Sequence, residues 1–404
     1  MKILMISPYS PSEDSNGIRT RYYCEDIANT HNEVQILVLA DGFGEENPLG
    51  NLRVMRCWTK DQKRWKIINQ FKDVINAYDP DIVHLHFNYL TFGGIIKSHR
   101  ILRHIADTCK AENKKLVVTL HSIISSPIRR ILSEIFLIPL KIPSFLDRLG
   151  SGVFQRDLDL VLKNCDILVL PSSSAYEFAS DRSRRVNTRC KISYLPLGFP
   201  IKDEGLLRNH RVPKPENRIC ILFYGIITPY KGLHVLLKSL RTLLQEKYDI
   251  VLKIMGQFIT HEKQDTSYYK KIMNLVKKYG IQEICNFSLS HFEEPVLWEN
   301  FGEVDIAVFP TLYDGTLSLS ASPYPALFAG AKVVMTDSPR LIDFSNLPGV
   351  FTCKAGNSTD LANAIIRAAS EKETHFDRRT LLLNHDKVTI SNLYFKAYTD
   401  LIRR

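Results

Sequence analysis

Three strand ends in this chain carry residue types suited to holding an anion. The first is Lys231, in Thr228-Pro229-Tyr230-Lys231-Gly232, which follows an apolar run closing on Phe223-Tyr224-Gly225. A helical pattern starts there, and a cation at a helix N-terminus is unfavourable by ~0.3–1 kcal/mol. An anion held by both the lysine and the helix amides reverses that sign; a solvated lysine is the alternative. The second is Asp314-Gly315 with the loop Thr316-Leu317-Ser318-Leu319-Ser320-Ala321-Ser322-Pro323. Its three alternating hydroxyls, Ser318, Ser320 and Ser322, can cradle a diphosphate together with the loop amides. The Leu/Ser alternation also fits a half-buried strand. The third is Ser7-Pro8-Tyr9-Ser10 followed by Asn16-Gly17. There Gly17, at a helix start, would let a ligand approach the backbone; an ordinary strand-to-helix turn is the other reading.

His84, His86 and His121 each close an apolar run. Two histidines two apart on a strand point the same way, but no third ligand accompanies them. No Asp-x-Asp pair or His/Cys cluster stands at a predicted strand end, so neither a metal nor a cofactor is expected. His121, in Val117-Val118-Thr119-Leu120-His121-Ser122, ends at the expected ligand cleft and could contact a ligand or make a structural hydrogen bond.

Short apolar runs alternating with longer helical patterns must position these residues, the signature of a mostly parallel sheet covered by helices. Strands are expected at Lys2–Ser7, Val34–Leu39, Arg53–Cys57, Ile82–His86, Leu116–Leu120 and Ile167–Leu170, with helices at Ile18–Ala28, Lys66–Ala77 and Ile95–Lys110. Gly198–Arg218, rich in Gly, Pro and charge, reads as a linker. The pattern then restarts: strands Ile219–Tyr224, Ile250–Met255, Ile306–Phe309, Lys332–Met335 and Val350–Thr352, and helices Leu233–Leu244, Tyr268–Tyr279 and Tyr324–Ala329. Asn357 or Ser358 caps a further helix running to about Ser370. The expected fold is α/β, two doubly wound domains facing across a cleft, with ligands outside the carboxyl ends of the strands. The expected domains are 1–200 and 201–385, with a C-terminal helix in 386–404 packing back on the first.

The chain has 404 residues, 45% of them apolar and 24% charged, which excludes a disordered class. Its 53 Lys and Arg against 43 acids, a net charge of +10, favour polyanionic partners. That charge is spread, so nucleic acid is not expected. No apolar run approaches the ~20 residues that span a bilayer. The eight cysteines are scattered without a Cys-x-x-Cys, which fits a reduced, cytoplasmic protein. From Ile128 to Phe136 the apolar positions share one helical face, with Arg129 and Arg130 on the other and Lys141 and Arg148 following. Such a stretch, 128–148, can lie on an anionic membrane or pack into a core.

In order and spacing these segments resemble the retaining glycosyltransferase family 4, of the two-domain GT-B fold. The resemblance covers nearly the whole chain. It is carried by Gly225 through Lys231-Gly232, by Met255-Gly256, and by Asp305 through Gly315. Ala326–Val334, Thr336-Asp337, Asn16-Gly17, Thr119-Leu120-His121 and Leu195-Pro196-Leu197-Gly198 add to it. It implies transfer of a sugar from a nucleotide diphosphate donor, with retention and without metal. It implies that Lys231 pairs with the donor diphosphate, that Gly17 lets a loop reach the phosphate, and that His121 touches the sugar. Asp314 stands in for the family's first Glu, which bonds sugar hydroxyls. The donor loops would be Gly225, Gly256, Gly315, Thr316, Leu317, Ser318, Ser320 and Ser322.

Three positions depart from the family pattern. Ile226 stands where the family usually has an Arg, and Ser322 or Pro325 where it has a second Glu. Asn16 precedes Gly17 where a second Gly is common. Arg340 is a candidate to replace the lost cation. The expected function is a glycosyltransferase acting on a glycan or lipid-linked acceptor for surface polysaccharide or glycolipid, at the inner membrane face. A non-catalytic GT-B scaffold and a sugar-nucleotide epimerase are the competing readings.

Overall fold

The computed structural model describes residues 1–11, 15–125, 144–186, 188–199, 218–258, 264–289, 300–371 and 383–403. The chain divides into two compact units, one of Met1–Ile124, Ser151–Pro200 and Leu383–Arg404, the other of Ser125–Gly150 and Ile201–Leu382. Residues 128–143 and most of the expected linker lie outside the described residues.

The first unit runs β1 (Lys2–Ile6), α1 (Ser15–Thr30), β2 (Gln35–Asp41), β3 (Gly44–Leu49), β4 (Leu52–Trp58), α2 (Arg64–Tyr78), β5 (Ile82–Phe87), α3 (Ile95–Ala111), β6 (Lys115–Leu120) and a two-residue β7 (Ile123–Ile124). Then come α4 (Ser144–Asn164), β8 (Ile167–Leu170), α5 (Ser173–Val186) and β9 (Lys191–Tyr194). The sheet order is β3-β4-β2-β1-β5-β6-β8-β9. Its pairs are parallel except for β3 against β4. Central strands covered on both faces are apolar throughout, as parallel sheets require, and β5 is buried at every position. The structure starts α1 at Ser15, so Gly17 lies inside its first turn rather than in the preceding loop.

The second unit runs β10 (Arg218–Tyr224), a 3-10 turn Pro229–Lys231, α6 (Leu233–Gln245), β11 (Asp249–Met255), α7 (Gln264–Tyr279), β12 (Cys285–Ser288) and β13 (Ile306–Phe309). A two-residue β14 (Thr316–Leu317), α8 (Pro323–Ala329), β15 (Lys332–Thr336), β16 (Val350–Cys353) and α9 (Ser358–Ser370) follow. The all-parallel order is β12-β11-β10-β13-β15-β16. Strand order therefore reverses between β10 and β13, which opens a crevice at their carboxyl ends. Leu233, Leu236, Leu237, Leu240 and Leu243 of α6 bury one stripe in this unit's core, each worth about 1.5–3 kcal/mol. The Asn357 side chain accepts from the amides of Thr359 (3.1 Å) and Asp360 (3.0 Å) and so starts α9.

The chain ends in α10 (Lys387–Ile402), capped by Asp386, whose carboxylate accepts from the Val388 amide at 3.2 Å. Ile390, Tyr394, Tyr398 and Leu401 of α10 join the core of the first unit. No helix among the described residues is long and apolar enough to cross a membrane.

Candidate functional site

The crevice of the second unit opens where β10 ends in Gly225. This residue has φ +133°, and a Cβ there would stand 3.3 Å from Ser322 Oγ. Gly256, after β11, has φ +151°, and a Cβ on it would fall 1.9 Å from the Gly225 carbonyl oxygen. The two glycines thus let two strand ends touch backbone to backbone. Gly232 is left-handed at φ +75°, with a would-be Cβ 1.9 Å from Pro310 O. It separates the 3-10 turn from α6, so Lys231 closes the turn rather than starting the helix.

That turn aims the half-buried Lys231 at the serine loop. Its Nζ donates to Ser320 Oγ at 3.1 Å and Ser322 Oγ at 3.3 Å. Among the described residues no carboxylate lies within ion-pair reach of it. Burial, and then the charge of Arg340, push its pKa down to about 8, while Asp314 acts in the opposite sense.

Asp314 is 1% exposed. Arg340 Nε donates to its Oδ1 at 3.1 Å and Nη2 to its Oδ2 at 2.5 Å. The Thr316 amide (3.1 Å) and hydroxyl (2.6 Å) also donate to Oδ1, a return that the positive φ of Gly315 permits. Both oxygens of the residue expected to bond sugar hydroxyls are therefore engaged within the protein. Arg340, 18% exposed, also donates to Ser318 Oγ at 2.8 Å and to Thr316 Oγ1. Its carbonyl accepts from the Ser320 amide at 2.9 Å, and its guanidinium lies 5.0 Å from the centre of the Tyr230 ring. The Leu317 side chain is buried, which leaves only its backbone for a ligand.

Among the described residues, Asp314 thus pairs with Arg340 while the Lys231 ammonium is held only by hydroxyls, which leaves an excess positive charge in the crevice. Residues 208–379 match the family described as glycosyl transferases group 1. They belong to it. A lipopolysaccharide 1,2-N-acetylglucosaminetransferase of Salmonella typhimurium is 24% identical over 164 residues, spanning 40% of this chain and 42% of that protein. Sucrose-phosphate synthase of Thermosynechococcus elongatus superposes with TM-score 0.75 at 15% identity, covering 100% of this chain and 99% of that one. Anabaena HepE, solved with UDP-glucose, superposes with TM-score 0.68 at 15% identity over 99% and 100% of the two chains. The fold is GT-B.

In the first unit of this GT-B chain, the histidines at the ends of β5 and β6 form a directed relay. Thr20 Oγ1 donates to the Asn16 carbonyl at 3.0 Å, and Tyr23 OH donates to Thr20 Oγ1 at 3.1 Å. Tyr23 must then accept from His86 Nε2, 2.5 Å away, so His86 Nδ1 accepts from His121 Nε2 at 3.0 Å. Burial keeps the half-buried His121 neutral, and with its proton on Nε2 its Nδ1 is left as an acceptor. Its pKa is pushed down to about 3, by burial first and Arg19 second. His84 points elsewhere, to Tyr398 OH (2.6 Å) and Thr119 Oγ1 (2.8 Å), so the two strand histidines have different partners. The Gly17 carbonyl accepts from the Ser10 amide at 3.2 Å. Sequence reasoning passed over Tyr230, Thr316 as a partner of Asp314, and Tyr23; the motif spacings mark none of these pairings.

Proposed function

We propose that this protein is a glycosyltransferase that moves a sugar, with retention, from a nucleotide diphosphate sugar to a glycan or lipid-linked acceptor. The observation that carries this reading is that, among the described residues, Arg340 pairs with Asp314 while the Lys231 ammonium, beside it, is hydrogen-bonded only to the hydroxyls of Ser320 and Ser322. A departing nucleoside diphosphate develops negative charge, and fixed cations and hydroxyl donors placed beforehand stabilise it. Lys231 and Arg340 supply that charge without a metal, and Ser318, Ser320 and Ser322 supply donors. Arg340 takes over from the cation missing at Ile226. His121, with Nδ1 as acceptor, receives a sugar hydroxyl. Because HepE was solved with UDP-glucose, uridine diphosphate sugars are the first donors to try.

A thermal-shift panel of nucleotide sugars tests the reading. A donor at ~100 times its dissociation constant adds ~2.7 kcal/mol of stability, and EDTA should leave both binding and turnover unchanged. Failure of every donor to raise the melting temperature would overturn it. The second reading, a GT-B scaffold without donor chemistry, is favoured by one observation: Asp314 has both oxygens occupied. The same panel separates the two. We assign the acceptor reaction to surface polysaccharide or glycolipid synthesis at the cytoplasmic membrane face. The basic amphipathic stretch 128–148 supports that placement, and vesicle binding tests it.

A further inference from the structure

The end of the first unit where α2 and α3 begin exposes large apolar side chains. Trp65 is 57% exposed, Leu90 68% and Ile96 71%. The loops carrying them touch. Lys97 Nζ donates to the carbonyls of Lys60 (2.7 Å) and Gln62 (2.5 Å). A Cβ on Gly93 would stand 2.4 Å from Lys60 O, and the Gly93 amide donates to Leu90 O at 3.2 Å. The two helices pack against each other and start at this same end. Trp65 and Ile96, each the second residue of its helix, therefore share one rim with Leu90.

Lys60, Lys63 and Lys66 are exposed on this rim, and Lys66 Nζ lies 5.7 Å from the Trp65 ring centre. Asp61 is the only acid between residues 59 and 66. Neither helix has an acidic residue in its first turn. Lysines beside positive helix ends repel, and exposed Trp, Leu and Ile side chains meet water; neither feature helps the unit fold. A partner with an anionic surface over an apolar interior relieves both. Leu90 and Ile96 extend the apolar surface beyond Trp65, the one aromatic ring of the three, as a lipid layer requires. Tryptophan favours the bilayer interface, and lysine stems can extend along apolar surface while their heads meet phosphates.

We propose that this rim docks the protein on an anionic lipid bilayer, with Trp65 and Ile96 entering the headgroup layer beneath Lys60, Lys63 and Lys66. The inference deepens the membrane part of the function proposed above and rests on that part alone, not on the donor chemistry.

The test is co-sedimentation of the full chain with phosphatidylglycerol–phosphatidylcholine vesicles and with phosphatidylcholine alone. We expect binding to the mixed vesicles, several-fold less to the neutral ones, and release by high salt. The Trp65→Ser/Ile96→Ser and Lys60→Glu/Lys63→Glu variants should each lose most of it, with melting temperature and nucleotide binding unchanged. Binding should shift Trp fluorescence to the blue, and Trp65→Phe should abolish the shift. Undiminished sedimentation of both double variants would overturn this rim while leaving membrane attachment through 128–148 standing. Absence of binding by the wild type, or equal binding to neutral vesicles, would overturn the membrane reading as well. Neither result touches nucleotide binding, which is read separately.

Discussion

Arg340 meets Asp314 side-on, Nε to Oδ1 at 3.1 Å and Nη2 to Oδ2 at 2.5 Å, across 26 residues of sequence. A bidentate pair of this kind fixes the guanidinium plane as well as its position. The same guanidinium binds Ser318, so one carboxylate sets both a cation and the loop that carries the hydroxyls.

Asp314→Asn should therefore act through Arg340. Breaking a largely buried ion pair from one side costs about 3 kcal/mol, the lower end of the usual range because Arg340 keeps some solvent contact. Donor affinity should fall along with stability. Urea midpoints and calorimetry with a uridine diphosphate sugar check this. Wild-type values in both would show that the pair neither holds the fold nor shapes the site.

Lys231→Ala should leave the fold intact and lower turnover on the order of 10²–10³, the usual loss for one preorganised donor. With its pKa near 8 in the free protein, Lys231 carries its charge below that pH and loses it above. Donor affinity should then weaken as pH rises through about 8. Lys231→Arg, charged throughout, should flatten that part of the profile at some cost in geometry. A profile identical in Lys231→Arg and wild type would assign the titration to another group.

The histidines predict a stability profile. Burial first, then the neighbouring His121, pushes His84 down to about 3 from an ordinary value of 6.5. The unfolded chain thus binds a proton that the folded chain refuses. The contribution is intact above pH 6.5 and is lost progressively as pH falls towards 3. At pH 5 the loss from His84 is about 2 kcal/mol. His86, also held well below its ordinary value by burial, adds in the same direction. Urea denaturation at pH 7 and pH 5 measures the difference, and His84→Gln should reduce it. Equal midpoints at both pH values in the wild type would contradict the buried, neutral state.

Much of the fold was legible because parallel strands covered on both faces leave unbroken apolar runs, as in Ile167–Leu170. What escaped lacks that signal. In β3, Gly44-Glu45-Glu46-Asn47-Pro48-Leu49, the pairing comes from hydrogen bonds to β4 and not from an apolar face. Edge strands such as Lys191–Tyr194 are short and half-exposed. In the site, Lys231 and the serines could be found from spacing, because backbone geometry places them locally. The Arg340–Asp314 and His84–Tyr398 pairs could not. They join residues 26 and 314 apart, and no periodicity encodes which charges meet.

Ser322 stands where the resemblance would place a ribose-binding carboxylate, so Ser322→Glu looks like a repair. The structure argues the reverse. Ser322 Oγ already accepts from Lys231 Nζ at 3.3 Å, and a Cβ on Gly225 would come within 3.3 Å of the same oxygen. A longer, charged side chain at this position meets the lysine before it meets any ligand. It would neutralise the excess positive charge shared by Lys231 and Arg340, and an incoming diphosphate would face a carboxylate in place of a hydroxyl donor. Lys231 would gain a partner, so its pKa should rise and the loss of affinity near pH 8 should move to higher pH. Donor affinity at neutral pH should fall by at least tenfold, about 1.4 kcal/mol, while stability holds or improves slightly through the new ion pair. Calorimetry on the wild type and Ser322→Glu, at pH 7 and pH 9, measures both effects. A tenfold gain in affinity would instead mean that the glutamate reaches the ribose past Lys231, as the family geometry would have it.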